Sequence, residues 1–316
     1  MSTDQPISIA DCSQMPNALA PTISACLIVK NEHDCLDRCL QSLQGVDEIV
    51  VVDTGSEDDS PDIARKYTDK VSVGEFSWID DFSAARNFAI AKCTKDWILI
   101  IDADEKLEDG GVAKARAAIF ANPKAEVIGF NCRSMTGTCE HFAPRLFRSD
   151  RGLKYVGAIH NHLSKLSDVN VPVTILYGYS PAHKKDPDRA LRILTREVEK
   201  NPAGARNLFY LAREYVYRKK WEQAIELYQR YLRIATWGPE ICDAQLALSR
   251  CFLALGRRQE GVRAALDAVF TNADCREALV LLSQLSGPKN SAYWKRYAGM
   301  AQNNDVLFVR AVKGSK

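Results

Sequence analysis

The sequence predicts two successive folds: an α/β domain on a mostly parallel sheet, then an all-α domain of paired helices. Three observations predict it. Between Ile23 and about Ile128, short apolar runs alternate with stretches of helical spacing, the order of strands joined by crossover helices. Those runs end in polar residues, most plainly where Ile98-Leu99-Ile100-Ile101 gives way to Asp102-Ala103-Asp104-Glu105. Beyond Pro187 the extended segments stop, and helices with recurring small residues take over.

The elements follow in order. Ile23–Val29 reads as a strand and Glu32 to Leu43 as a helix. Glu48–Asp53 is a second strand; Ser56–Tyr67 opens another helix, whose Asp58, Asp59 and Asp62 suit the positive end of its dipole. Lys70–Val73 is short and extended, Phe82–Cys93 has helical spacing, and Trp97–Ile101 is a strand buried on both faces. Val127–Asn131, Ala143–Phe147 and Val171–Tyr177 then suggest a smaller mixed-sheet extension. In the helical part, Leu211, Ala212, Tyr215, Ala224 and Tyr228 match tetratricopeptide spacing, and Leu248, Phe252, Gly261 and Ala265 repeat it after the Thr236-Trp237-Gly238-Pro239 turn. Expected boundaries are a flexible leader at 1–21, an α/β domain at 22–186 and a helical domain at 187–316.

Composition narrows the classes. With 316 residues, 46% apolar and 26% charged, the chain suits two globular domains. No apolar run approaches the ~18 residues of a membrane span, and the first twenty residues lack the apolar block of a signal peptide. The ten cysteines show no Cys-x-x-Cys pair or zinc spacing, so reduced core thiols and a cytoplasmic location are expected. The net charge of +2 hides an asymmetry: after Asp186 there are 22 Lys and Arg against 13 Asp and Glu, before it 20 against 27. A basic helical half invites an acidic partner, though a solvated helical surface explains it as well.

In open α/β sheets ligands bind at the carboxyl ends of strands. Three clusters fall there: Lys30-Asn31-Glu32, Asp53-Thr54-Gly55-Ser56 and Asp102-Ala103-Asp104. Hard divalent cations take oxygen ligands, and Mg²⁺ combines one or two carboxylates with substrate phosphates, so the Asp-x-Asp suggests a metal-bound nucleotide or nucleotide-sugar. Neither a Gly-x-Gly-x-x-Gly dinucleotide turn nor a Walker phosphate loop is present.

Val29-Lys30-Asn31-Glu32, Val51-Val52-Asp53-Thr54-Gly55-Ser56, Asp80-Asp81-Phe82-Ser83-Ala84-Ala85-Arg86-Asn87 and Asp102-Ala103-Asp104-Glu105, in that order, resemble glycosyltransferase family 2, particularly its branch with C-terminal tetratricopeptide repeats. The resemblance implies a Rossmann-like GT-A domain and an inverting transfer of a hexose from a nucleotide-sugar, UDP by family habit. It implies that Asp53 bonds the base, that Arg86 lies beside base and diphosphate with Asn87 supporting it, that Asp102 contacts ribose or sugar, and that Asp104 holds Mg²⁺ or Mn²⁺. Lys30 and Asn31 would add to the donor site, as would Arg145 in Arg145-Leu146-Phe147-Arg148, which resembles a further family segment. Tyr155-Val156-Gly157-Ala158-Ile159-His160 resembles the family's Gly-x-Ile-His segment, but Asn161 stands where many relatives have Glu, and Asn is no base near neutral pH. His160 is therefore expected to complete the metal shell or take the acceptor's proton, with Glu140 and Asp81 as alternative bases and His162 and His183 as weaker candidates.

The acceptor stays open between a cell-envelope glycan such as lipopolysaccharide, a peptide side chain held by the repeats, and a modified base of phage-type DNA held by positive charge. Arg218, Lys219, Lys220, Arg230, Arg233, Arg257, Arg258 and Arg263 are the charges that would serve an anionic acceptor. A non-catalytic adaptor and a nucleotidyltransferase are the competing classes.

Overall fold

Apolar runs of four to seven residues become strands when neighbouring strands satisfy their backbone and helices cover both faces. In the computed structural model, which describes residues 21–137, 140–178, 180, 181 and 186–303, this happens from the first run onward. The expected leader up to residue 20, and His183, lie outside the described residues. β1 (Ile23–Val29), α1 (Leu36–Gln41), β2 (Glu48–Asp53), α2 (Ser60–Arg65), β3 (Val71–Val73), α3 (Phe82–Ile90) and β4 (Trp97–Ile100) follow the predicted alternation. α1 and α2 begin later than their periodic stretches, because the residues before them are spent in loops that tie the two strand ends together.

The chain continues with β5 (Glu105–Leu107), α4 (Gly111–Ala121), β6 (Val127–Ser134), β7 (Glu140–Arg148), β8 (Tyr155–Val156), β9 (His162–Leu163) and β10 (Val169–Tyr177). The later strands form the mixed extension of the same sheet, which reaches eight strands in the order β3-β2-β1-β4-β7-β6-β10-β5. β5 and β7 run against the other six strands. Burial holds the extension in place: Leu146 and Phe147 of β7 enter the cores on opposite faces of the sheet. α1, α2 and α4 cover one face, with Leu36, Leu40, Ile63 and Val112 in its core; α3 covers the other through Ala89. The small hairpin β8–β9 stands apart from the sheet.

The described residues up to Gly157, with those from Asn161 to Asp186, form one compact unit; Ala158–His160 and the residues from Pro187 form a second. The second unit is helical: α5 (Arg189–Lys200), α6 (Ala205–Tyr217), α7 (Trp221–Leu232), α8 (Gly238–Ala254), α9 (Arg258–Thr271), α10 (Arg276–Leu285) and α11 (Pro288–Met300). Small residues let these helices approach. Ala224 is fully buried, and a Cβ on Gly261 would come 2.7 Å from Leu253 Cγ and 3.2 Å from the Ser249 carbonyl oxygen. The Trp237-Gly238-Pro239 turn starts α8, with proline in the first helical turn, where its missing N–H costs nothing. No helix among the described residues is long and apolar enough to cross a membrane.

Candidate active site at the carboxyl edge of the sheet

Parallel pairing of β1 with β2 and β4 brings their carboxyl ends to one edge, with Val29 opposite Asp53 and Cys26 opposite Ile100. The loops leaving this edge are stitched together. Asn31 adopts a left-handed conformation (φ 57°), which asparagine tolerates better than most residues. Its backbone N–H donates to Ser56 Oγ (2.8 Å) and its side-chain oxygen accepts from the Glu57 N–H (2.7 Å), while the Glu32 N–H donates to Ser60 Oγ (2.8 Å). Asn31 thus positions the loop after β2, and Lys30 stands exposed beside it.

Asp53 is almost wholly buried, and its Oδ1 accepts from the Gly55 and Ser56 N–H groups, both at 3.0 Å. Its Oδ2 is also buried and meets no donor among the described residues. Such an atom costs free energy unless something else donates to it. Asp81 has a local duty: its Oδ1 caps α3, accepting from the Ala84 N–H (2.9 Å) and from Ser83 Oγ (2.7 Å).

α3 carries Arg86 and Asn87 into the site. The Arg86 guanidinium donates to Asp102 Oδ1 (2.5 Å) and lies 5.3 Å from the ring centroid of Tyr155. Asn87 grips the Tyr155 backbone with both ends of its amide, accepting at 2.8 Å and donating at 2.9 Å. Its support of Arg86 therefore runs through the aromatic ring it holds in place. Burial alone would lower the Arg86 pKa, but Asp102 and Tyr155 outweigh it and hold the charge on.

The turn after β4 is fixed by a residue that the motif contains but whose role the sequence did not disclose. The Glu105 carboxylate, 4% exposed, accepts the Asp102 N–H (2.8 Å) and both terminal nitrogens of Arg145 (2.7 and 3.0 Å). Arg145 reaches it because Ile128 pairs with Leu146 and Gly129 with Pro144, leaving Arg145 as the extra residue of a β-bulge. Burial, opposed by Arg145 and reinforced by Asp102, pushes Glu105 up to about 7. Arg145, expected to bind donor, is thus already engaged with Glu105. Asp104 is half-buried, and its carbonyl accepts from Arg38 (3.2 Å).

Glu140 opens β7 at the same edge, exposed, and accepts from Asn131 Nδ2 (2.6 Å). His160 keeps different company. It belongs to the helical unit, where its ring stacks on Tyr210 (3.8 Å between centroids) and its carbonyl accepts from Arg206 at 2.7 and 2.9 Å. The residue keeps some exposed surface, yet its packed ring, with Arg206 and Arg213 nearby, has a pKa lowered to about 4. Among the described residues no three His, Cys, Asp or Glu side chains gather as a metal cage, so Asp102, Asp104 and His160 do not form one. The donor set does suit a cation that brings its own oxygens: two carboxylates two residues apart at a strand end, with substrate phosphates completing the shell. His162 sits in β9, its ring nitrogen against the Leu163 carbonyl (3.0 Å). In the helical unit several of the basic candidates are neutralised locally: Arg218 pairs with Glu214 and Asp188, Arg230 with Glu226 and Arg257 with Glu260.

The chain is 30% identical over 220 residues to the prophage-derived glycosyltransferase SunS of Bacillus subtilis, covering 65% of this chain and 52% of SunS. It is 52% identical over 86 residues to a TPR repeat-containing protein of Synechococcus elongatus, covering 27% of this chain and 21% of that protein. This chain therefore spans about half or less of these relatives. Among solved structures, residues 1–349 of TarS from S. aureus align with a TM-score of 0.45 and 15% identity, over 80% of this chain and 92% of that one. Residues 24–154, the stretch holding Asp53, Arg86, Asp102 and Asp104, match the family model Glycosyl transferase family 2, which places this part of the chain in that family.

Proposed function

We propose that the chain is an inverting glycosyltransferase that moves a hexose from a UDP-sugar to a macromolecular acceptor. One observation carries this reading: a buried carboxylate oxygen with no donor (Asp53), an arginine–aspartate pair (Arg86–Asp102) and a second aspartate (Asp104) converge on the carboxyl edge of one sheet. Asp53 Oδ2 would accept the imide N–H of uracil, a hydrogen bond that also relieves its own desolvation. Arg86 would face the departing diphosphate with a charge that burial makes more effective, while its hold on Asp102 keeps that carboxylate aimed at ribose or sugar. Asp104, with Asp102, would hold Mg²⁺ or Mn²⁺, which when bound supplies neutralising charge for the leaving diphosphate. The acceptor's nucleophilic atom would attack the anomeric carbon from the face opposite the diphosphate, in one displacement with inversion.

We also read α5 to α11 as a tetratricopeptide-like stack that presents the acceptor. The paired helices, the small residues at Ala224 and Gly261, and the TPR-containing relative support this. The test is calorimetry of UDP binding with and without Mn²⁺, followed by turnover of UDP-sugars against glycan, peptide and single-stranded DNA acceptors. Wild type is expected to bind UDP in a Mn²⁺-dependent way, Asp104→Ala to lose that dependence, and Asp53→Asn to bind roughly tenfold or more weakly. Metal-independent or absent UDP binding by wild type would point to an adaptor instead. A product that keeps the donor's anomeric configuration would refute the single displacement.

A further inference from the structure

The acceptor's proton needs a destination, and the residues already discussed serve it poorly. Asp81 is occupied in capping α3. His160 is held by Tyr210 and Arg206, with a pKa near 4 that makes it a feeble base at neutral pH. Glu140 accepts from Asn131 and pairs with Arg133, so it lies on one face of β7. The neighbouring histidine lies on the other face. His141 pairs with Cys132, Cys132 with Ile175, and Ile175 with Leu107; two residues along, Tyr177 pairs with Glu105. Paired residues share a face of the sheet, and residues two apart do too. The register therefore puts His141, Tyr177 and Glu105 on the same face, and the His141 ring meets Tyr177 edge-on at 6.1 Å.

β7 runs antiparallel to β4, so its first residues extend past the carboxyl edge on which Asp102 and Asp104 stand. His141 is also exposed, and nothing among the described residues hydrogen-bonds its ring nitrogens.

Resting on the glycosyltransferase reading above, we propose that His141 is the general base of the transfer, standing on the acceptor side of the donor site. A ring nitrogen of neutral His141 takes the proton from the acceptor's O–H, N–H or S–H as that atom bonds to the anomeric carbon. The bond from that carbon to the diphosphate oxygen breaks, its electron pair leaves with UDP, and the imidazolium later gives its proton to solvent. The surroundings favour the required state. Desolvation of the ring and the charge of Arg145 lower the His141 pKa, which favours the neutral imidazole.

The experiment measures hydrolysis of UDP-glucose, UDP-galactose and UDP-N-acetylglucosamine with Mn²⁺, with water as acceptor, alongside calorimetry of UDP binding. His141→Ala and His141→Gln are expected to lose turnover by roughly 100-fold or more, with UDP affinity within about threefold of wild type. Added imidazole should restore part of the turnover of His141→Ala and none of His141→Gln, whose amide fills the space. A turnover of His141→Ala within threefold of wild type, or a loss that imidazole does not relieve, overturns the assignment. A wild type that fails to bind UDP with Mn²⁺ overturns the glycosyltransferase reading itself, a separate result.

Discussion

Glu105 offers the sharpest test of how the donor site is held. Its carboxylate accepts from Arg145 at 2.7 and 3.0 Å and from the Asp102 N–H at 2.8 Å, all in a buried setting. Glu105→Ala would leave a guanidinium buried without its partner, which costs about 3–5 kcal/mol. The orphaned Asp102 N–H adds roughly 1–3 kcal/mol, not fully additive, so a loss of about 4 kcal/mol in urea unfolding is expected. That is a large part of a domain's stability, and a companion variant separates fold from function. Replacing both partners at once (Glu105→Leu with Arg145→Met) removes the unpaired charge and should return stability to within about 1 kcal/mol of wild type. It does not restore the acceptor for Asp102, whose turn stays loose. UDP affinity with Mn²⁺ should therefore remain about tenfold weaker than wild type, about 1.4 kcal/mol. A Glu105→Ala variant that loses under about 1 kcal/mol, or a double variant that binds UDP like wild type, would refute the positioning role.

Two further expectations concern the scaffold. Burial pushes Glu48 up, but donors from Lys70, Ser24 and Thr94 outweigh it and bring the carboxyl down to about 2 from 4.5. Because the folded pKa lies below the unfolded one, this stabilisation is complete above about pH 4.5 and is lost as pH falls toward 2. It amounts to about 3 kcal/mol, so Glu48→Gln should flatten the acid limb of a stability-versus-pH curve; an unchanged limb would contradict it. In the helical unit, Gly261→Val must push Leu253 aside, since even a Cβ would sit 2.7 Å from its Cγ. A loss of about 2 kcal/mol or more by urea unfolding is expected; a neutral result would mean that α8 and α9 are not closely packed there.

Particular residues show how far the sequence carried. The strands β1, β2 and β4 were legible because each is a short apolar run ending in polar residues, a length and pattern that suit a strand buried on both faces of a parallel sheet. α4 was not legible: Gly111-Val112-Ala113-Lys114-Ala115-Arg116 spreads its small apolar residues around the helix, so no stripe marks it. β5, three residues long, is too short for any period to show.

The site divides the same way. Asp53, Asp102 and Asp104 stand out in the chain as candidates because they close apolar strands, and Arg86 because its segment resembles a family motif. Which groups answer to which was decided by tertiary structure. Arg145 meets Glu105 across 40 positions of sequence through a bulge that only the pairing with β6 creates. Asn87 holds Tyr155 rather than Arg86. His160 stacks on a tyrosine of the helical unit, and His141, unremarkable in sequence, meets Tyr177 edge-on and shares a sheet face with Glu105 through strand register. Local sequence sets propensity and chemistry one residue at a time; hydrogen-bond register and burial, which depend on distant segments, set direction and partners.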